Sequence, residues 1–330
     1  MLHSLQRIVL ITNVKKIPNE GYAKHMSSFD ITKRITNKLI GKAIRRNGYE
    51  LVEYNNLHDF LLNIDAHKSD LVFPYYFGVA SKIRQSYIQT ICESQNIQYI
   101  GPDAYAQTIG NDKALSKEIC RYSEILTPNF KILFDKNYPP DICVLNLPLI
   151  VKPQFEEDSI GISNANVFFS YEEVIPFAIK LQTDLCQPIL IEEFIEGKEI
   201  CICMVGYKRI IKRIGIVENI NKKKSLVSSY YDKKFSVSFQ KYRVADELIN
   251  DKIVSKATNL FHSLDKLEFV RLDFICKNDI FYNIELTADP NLSPYSCLYN
   301  AFKKEMKYID FIGLLISNCI ERYQFVKENY

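Results

Sequence analysis

The sequence carries little net charge and lacks any apolar run long enough to span a bilayer. Its 42 lysine and arginine residues nearly balance 39 aspartate and glutamate residues, which leaves a formal charge of +3 at pH 7. Such a small and scattered excess does not favour a nucleic-acid or membrane surface. A membrane-spanning helix needs about 20 consecutive apolar residues, and no segment approaches that length. We therefore expect neither nucleic acid nor a membrane as a partner.

The sequence also lacks a cysteine pattern typical of a zinc site or a disulfide framework. Its nine cysteines are scattered, and Cys201 and Cys203, which stand close together, have no partner ligands elsewhere. Met1–Thr12 is typical of a short buried strand rather than of the apolar region of a signal segment. The sequence therefore predicts a cytoplasmic protein whose cysteines are small core residues.

Strands and helices alternate in the amino-terminal part of the chain. A continuous apolar run over residues 7–12 is typical of a central parallel strand, and apolar residues at helical spacing follow over Ser27–Asn47, where Gly48 ends the helix. This alternation predicts an open α/β domain over residues 1–105. Shorter strands and helices then predict a small α+β domain over residues 106–195 and a third domain over residues 196–330. The fold class is thus α/β (α+β) with three contiguous domains.

Two acidic residues are expected to face each other on a predicted hairpin. The segments Val270–Phe274 and Phe281–Glu285 flank a turn at Lys277–Asp279, so that Asp273 and Glu285 project from adjacent strands on one face. Two close carboxylates repel, and a divalent cation such as Mg²⁺ is the usual reason to keep them together. A surface hairpin with a structural salt bridge is the alternative.

Two further segments place lysines where an anion would be needed. Lys152 ends the apolar strand Leu149–Val151, and a charge in such a place must be paired or must face a ligand such as a nucleotide phosphate. Lys113 and Lys117 lie four residues apart on one face of a predicted helix. A lysine pair of this kind is also compatible with an ordinary solvated helix surface.

The order of these segments resembles the ATP-grasp superfamily and, more closely, the D-alanine–D-alanine ligase family. The motifs that carry the resemblance occur between Leu71 and Ser296. In chain order they are Phe73-Pro74, Tyr99-Ile100-Gly101-Pro102, Asp112-Lys113, Val151-Lys152-Pro153, Ser159-Ile160-Gly161, Glu192-Glu193-Phe194-Ile195 with Gly197 and Glu199, Tyr230-Tyr231-Asp232, Arg271-Leu272-Asp273, Glu285, Asp289-Pro290 and Ser296. The resemblance implies a three-domain ATP-grasp fold that holds ATP between its central and carboxyl-terminal domains.

The resemblance also implies a role for individual residues. The residues implied to bind ATP are Lys113, Lys152, Glu192, Glu193, Phe194, Ile195 and Glu199, and those implied to hold one or two Mg²⁺ ions are Asp273, Glu285 and Thr287. The residues implied to act in catalysis are Arg271, Lys234 and Ser159, and those implied to bind the substrate are Ser296 and Tyr231. The implied reaction is an attack of a substrate carboxylate on the γ-phosphate, followed by capture of the acyl phosphate by an amine. Phosphorylation is chemically needed because a carboxylate is a poor acyl donor at neutral pH, and cations stabilise the charge of the transferred group.

The sequence departs from the family pattern mainly where substrates would bind. Thr287 stands in place of the family's third metal ligand, an asparagine, and the position nearest the glutamate that holds the first substrate's ammonium is Ser28. Phe77-Gly78 replaces a His-Gly pair, and Lys82 and Arg84 are added nearby. These changes imply a first substrate other than D-alanine, unless the local alignment is displaced.

The sequence therefore predicts an ATP-dependent carboxylate–amine ligase with small-molecule carboxylate and amine substrates. Two alternatives stay open: a ligase with a thiol or hydroxyl acceptor, and a catalytically inactive nucleotide-binding homologue. A homodimer is compatible with the sequence.

Overall fold

The structure is a computed structural model that describes residues 7–13, 34–78, 82–156, 161–220, 241–248 and 251–329. These residues form three sheets with helices packed against them. The strands are β1 (Arg7–Thr12), β2 (Glu50–Tyr54), β3 (Leu71–Tyr75), β4 (Gln98–Tyr99), β5 (Phe130–Leu133), β6 (Leu149–Pro153), β7 (Val167–Phe168), β8 (Ile189–Glu193), β9 (Lys198–Tyr207), β10 (Ile210–Asn219), β11 (Tyr242–Val244), β12 (Phe269–Lys277) and β13 (Ile280–Thr287). The α-helices are α1 (Arg34–Arg46), α2 (Leu57–Leu62), α3 (Tyr87–Ser94), α4 (Ala104–Asn111), α5 (Lys113–Tyr122), α6 (Val174–Leu185), α7 (Asp251–Ser263), α8 (Cys297–Phe302) and α9 (Tyr308–Asn329).

The amino-terminal sheet is parallel and has the order β2-β1-β3-β4. Its central strand β1 is buried from Ile8 onward, as its uninterrupted apolar sequence predicts. Helices α2 and α3 pack on one face, and α1 packs on the other together with α9 from the end of the chain. The predicted open α/β arrangement is confirmed for this part of the chain.

The other two sheets are antiparallel. The central sheet has the order β5-β8-β6-β7 and packs on α6. The carboxyl-terminal sheet has the order β11-β10-β9-β12-β13. One of its faces packs on α8 and α9, and the other packs on α4 and α7. This mixture of parallel and antiparallel sheets agrees with the predicted α/β (α+β) class.

Helix α5 occupies a position that the sequence did not indicate. The predicted helix that carries Lys113 and Lys117 is α5, which starts at Lys113 because the side chain of Asp112 accepts hydrogen bonds from the backbone of Ala114 and Leu115. Cys120 of α5 and the following Ile125 pack against the carboxyl-terminal sheet, although both fall within the segment predicted as the central domain. The three domain boundaries themselves stay a prediction.

Several short elements were not predicted. Helices α2 and α8 have six residues each, and β11 has three, so that none spans enough residues to show a clear period. Helix α4 was also missed, although Asp103 caps its first turn by accepting from the backbone N–H of Ala106.

All nine cysteines lie in described residues and are free thiols. Six are buried, as predicted for core residues, but the prediction is wrong for Cys143 and Cys186, which are exposed, and Cys276 is half-buried. Within the described ranges, none of the helices combines the length and the apolar character needed to cross a membrane.

Candidate active site

The β12–β13 hairpin brings four polar side chains to one face of the carboxyl-terminal sheet. Its turn residues Asn278 and Asp279 both have positive φ, of 50° and 60°, which is typical of the two-residue turns that join antiparallel strands. The resulting register places Asp273 opposite Glu285, and Arg271 opposite Thr287. Directly opposite residues of antiparallel strands share a face, so the predicted pairing of the two carboxylates is confirmed.

Arg271 connects the other members of this group. Its Nε donates to Asp273 Oδ1 at 2.7 Å, and its second terminal nitrogen, Nη2, donates to Asp273 Oδ2 at 2.8 Å. The same nitrogen lies 3.0 Å from Thr287 Oγ1 and 3.5 Å from Glu285 Oε2. Burial opposes the charge of the guanidinium, but the two carboxylates outweigh it and raise the pKa of Arg271. The side chains of Arg271, Asp273 and Glu285 keep exposed fractions of 20%, 17% and 23%, so a ligand can reach them.

Lys113 approaches this hairpin from the first turn of α5. Its Nζ lies 3.6 Å from Glu285 Oε1 and donates to the backbone carbonyl of Glu156, which follows β6. A further hydrogen bond of 2.7 Å joins Gln154 Nε2 to Asp112 Oδ1, the cap of the same helix. Lys113 therefore lies where the carboxyl-terminal sheet, α5 and the end of β6 meet.

Lys152 and Lys117 meet at Glu192 in the central sheet. Glu192 Oε1 lies 2.5 Å from Lys152 Nζ, and Glu192 Oε2 lies 2.8 Å from Lys117 Nζ. Glu192 pairs with Ile150 in the β6–β8 register, so Lys152, two residues further on, shares its face of the sheet. Burial disfavours the charge of Glu192, but the two lysines hold its pKa below the usual range.

This cluster changes two expectations. Burial of Lys152 does not by itself require a nucleotide phosphate, because Glu192 supplies a carboxylate. The interpretation of Lys113 and Lys117 as a solvated helix surface is wrong, because both side chains are buried. The four-residue spacing indicated that both lysines lie on one face of the helix. It could not show that a sheet covers this face of α5.

The end of β8 and the segment that follows it connect the central and carboxyl-terminal sheets and contain Glu193, Phe194 and Ile195, which the resemblance implies for ATP. Glu193 accepts hydrogen bonds from the backbone N–H and the side-chain amide of Asn146, and the Phe194 N–H donates to Pro148 O at 2.8 Å. Ile195 is half-buried. At Gly197 a Cβ would lie 2.3 Å from the carbonyl oxygen of Cys276, so glycine is required by the close approach of β12.

The other predicted positions fall into two groups. Glu199 accepts from Asn219 Nδ2 at 2.6 Å, and Ser296 caps α8 by accepting from the Tyr299 N–H at 3.3 Å. Their roles in ATP binding and substrate binding stay predictions. Ser159, Tyr231, Lys234 and Ser28 lie outside the described residues.

The oxygen atoms at the hairpin suit a hard cation that also binds a ligand. Among the described residues, no group of three or more His, Cys, Asp or Glu side chains is arranged to hold a metal ion. Asp273 and Glu285 with the Thr287 hydroxyl would thus need additional oxygen ligands, and Mg²⁺ commonly takes one or two carboxylates together with nucleotide phosphates. The residues therefore fit a nucleotide-bound Mg²⁺ better than a metal held by protein alone. Arg271 contacts the same oxygens and would have to share them.

Comparisons with known proteins support the predicted resemblance. The chain is 26% identical over 286 residues to a D-alanine–D-alanine ligase of Aquifex aeolicus, covering 86% of this chain and 94% of the relative. It is 27% identical over 298 residues to a D-alanine–D-alanine ligase of Pelagibacter ubique, covering 85% and 90%.

Solved structures show the same fold. The D-alanine–D-alanine ligase of Bacillus anthracis complexed with ATP superimposes with a TM-score of 0.72 at 20% identity, covering 97% of this chain and 99% of that chain. The VanG D-Ala:D-Ser ligase of Enterococcus faecalis gives a TM-score of 0.72 at 17% identity, covering 96% and 100%.

The predicted ATP-grasp fold is therefore confirmed. The family described as D-ala D-ala ligase C-terminus matches residues 122–317, which is more than half of the chain and includes β5 to β13 with Lys152, Glu192, Arg271, Asp273 and Glu285. The chain belongs to the D-alanine–D-alanine ligase family, a family of ATP-dependent ligases with the ATP-grasp fold.

Proposed function

We propose that the protein is a carboxylate–amine ligase that uses ATP with Mg²⁺, forms an acyl phosphate and then an amide or peptide bond. The observation that carries the proposal is the convergence of Lys113, Arg271 and the Asp273–Glu285 pair at one partly exposed site. Cations and a metal-binding carboxylate pair at one point suit the transfer of a phosphoryl group, whose negative charge needs stabilisation from several sides.

The nucleotide would lie between the central and carboxyl-terminal sheets. Lys152 and Lys113 would contact its phosphates, Glu192 to Ile195 would line the adenine, and Glu199 would bind the ribose. Mg²⁺ at Asp273 and Glu285 would neutralise phosphate charge. Arg271, which is hydrogen-bonded to Asp273, would be oriented to contact the transferred group. Thr287, Ser159, Lys234, Tyr231 and Ser296 complete the proposed site.

The substrates are proposed to differ from two molecules of D-alanine. Ser28, Phe77 and Lys82 replace residues that the family uses near the first substrate, and Lys82 adds a positive charge there. A carboxylate without a free α-amine, a different amino acid or a peptide would suit this chemistry better than a substrate bound through its ammonium.

The proposal is tested by phosphate release from ATP and Mg²⁺ over a panel of D- and L-amino acids, hydroxy acids and amines. We expect phosphate release only when a suitable carboxylate and a suitable acceptor are both present. The mass of the product should equal the summed masses of the two substrates minus one water. Hydroxylamine added with the carboxylate alone should yield a hydroxamate, because it captures an acyl phosphate. Asp273→Asn serves as the inactive control.

Other outcomes would replace the proposal. A thioester or ester product would identify a thiol or hydroxyl acceptor. Binding of ATP without phosphate release for any substrate pair would indicate an inactive homologue. A cytoplasmic location agrees with the nine free thiols, and a homodimer stays a prediction that light scattering can test.

A further inference from the structure

A buried cluster of three charged side chains carries an excess positive charge. Lys117, Lys152 and Glu192 have exposed fractions of 1%, 7% and 2%. Glu192 bridges the two ammonium groups at 2.8 Å and 2.5 Å. In the described ranges neither lysine has a second carboxylate partner, so two positive charges share one negative charge. We refer to these three residues as the lysine–glutamate cluster.

The lysine–glutamate cluster joins helix α5 to the central sheet. Lys152 and Glu192 lie on β6 and β8 of the central sheet, whereas Lys117 lies on α5. Lys113, one turn earlier on α5, reaches Glu285 of the carboxyl-terminal sheet. The two lysines of α5 thus contact acidic residues of two different sheets, and their orientation depends on the same capped helix.

Stability alone does not explain the second lysine. Burying a charge is costly unless it is paired, and one carboxylate is sufficient to pair one ammonium. Burial and the neighbouring Lys152 lower the pKa of Lys117, which shows that the fold places this ammonium at a cost. An added buried cation is useful if it prevents Glu192 from neutralising Lys152 completely.

We infer that Lys117 is a positioning residue for nucleotide binding, which shares Glu192 with Lys152 and thereby keeps the cluster positive toward the phosphates of ATP. The inference rests on the proposed function, because it takes the phosphates to lie near Lys152. Without Lys117, Glu192 pairs with Lys152 alone and the net charge of the cluster falls from one to zero. Removal of both Lys117 and the Glu192 charge restores the net charge of one.

The test is calorimetric titration of the full chain with a non-hydrolysable ATP analogue and, separately, with adenosine. Wild type, Lys117→Met, and the double variant Lys117→Met/Glu192→Gln are compared, with Lys131→Met of β5 as the control for an exposed lysine of the same sheet. At an effective dielectric constant of about 20, one charge at roughly 10 Å changes an equilibrium constant by about tenfold. We expect Lys117→Met to lower affinity for the analogue by about that factor, with adenosine affinity unchanged.

The double variant provides the decisive comparison. We expect its ratio of analogue affinity to adenosine affinity to return toward that of wild type, because its cluster again carries one positive charge. A purely structural role for Lys117 would weaken both ligands equally, and that result would overturn the inference. An unchanged Lys117→Met variant would also overturn it.

Wild-type binding and thermal melting separate a failure of the inference from a failure of the proposed function. Failure of wild type to bind the analogue would overturn the proposed function itself, whereas wild-type binding with an unaffected Lys117→Met variant would overturn the inference alone. If thermal melting shows that the double variant does not fold, the affinity ratio of the single variant decides the case.

Discussion

Asp273 and Glu285 lie opposite each other on β12 and β13, and Arg271 donates hydrogen bonds to both carboxylates. Two adjacent negative charges are thus held by a guanidinium rather than by apolar packing. Because all three side chains stay partly exposed, the arrangement is open to a cation or a charged ligand. These three side chains therefore form a polar site at the surface and are not part of the hydrophobic core.

The first prediction concerns these two carboxylates. Asp273→Asn and Glu285→Gln are each expected to reduce turnover by at least about a hundredfold, because each removes a charge from the proposed Mg²⁺ site. The fold should persist, since neither side chain belongs to a hydrophobic cluster. Phosphate release and circular dichroism are the measurements, and near-normal turnover of either variant at saturating Mg²⁺ would remove the metal assignment.

The second prediction concerns Lys152. In Lys152→Met the apolar part of the side chain is largely kept, and Lys117 still pairs with Glu192, so the melting temperature should change little. Affinity for a non-hydrolysable ATP analogue should fall by roughly ten- to a hundredfold, which corresponds to the loss of a charge-assisted hydrogen bond of ~1.5–3 kcal/mol.

Calorimetry checks both parts of this prediction, with Lys131→Met as the exposed control. Unchanged affinity together with a melting temperature several degrees lower would mean that Lys152 is a structural partner of Glu192 and does not contact nucleotide.

The third prediction concerns a buried ion pair that joins the amino-terminal and carboxyl-terminal sheets. Glu268 is fully buried, pairs with Arg322 of α9 and accepts from the Gly101 N–H at 2.7 Å. Glu268→Gln leaves Arg322 without its carboxylate, so the free energy of unfolding should fall by about 3–5 kcal/mol. Denaturant titration measures the loss. The matched exposed change, Glu118→Gln beside Arg121, should cost no more than about 1 kcal/mol.

The fourth prediction is a pH dependence that originates at Lys266. Burial, together with the charge of Arg322, lowers the pKa of Lys266 to about 8 from a usual value of 10.5, and its ammonium lies 3.7 Å from the ring centre of Tyr99. Between these two pH values the unfolded chain binds more protons than the folded one, so this residue makes the protein more stable as pH rises.

Comparison with Lys266→Met isolates this effect. Relative to the variant, the free energy of unfolding of wild type should increase from pH 7.5 to pH 10, by at most about 1.4 kcal/mol per pH unit. A constant difference between the two proteins across this range would show that Lys266 keeps an ordinary pKa.

The fifth prediction concerns the first substrate. With D-alanine as the only amino acid, ATP and Mg²⁺ should yield little or no D-alanyl-D-alanine, because the sequence comparison with the family predicts no ammonium-binding glutamate near Ser28. Product analysis by mass spectrometry is the measurement. Efficient formation of the dipeptide would show that another acidic residue has taken over this role.

Much of the site was predictable because its signals are local. The hairpin that pairs Asp273 with Glu285 follows from two strands and a short turn, and Lys152 stands out because it ends an apolar strand. Helices α2 and α8 were missed because six residues are too few to establish a period. The packing of Cys120 of α5 against the carboxyl-terminal sheet was missed because it joins residues far apart in the chain.

By itself, the sequence determined most of the strands and the longer helices, the ATP-grasp resemblance and the residue types of the site, since periodicity and motif spacing depend on near neighbours in the chain. Only the tertiary structure decided which charges meet. Lys117 and Glu192 are far apart in sequence, and their contact exists because α5 packs beside the central sheet. The same packing converts Lys117 from an expected surface residue into a buried cation, because covering a helix face removes the water that would otherwise solvate its charge.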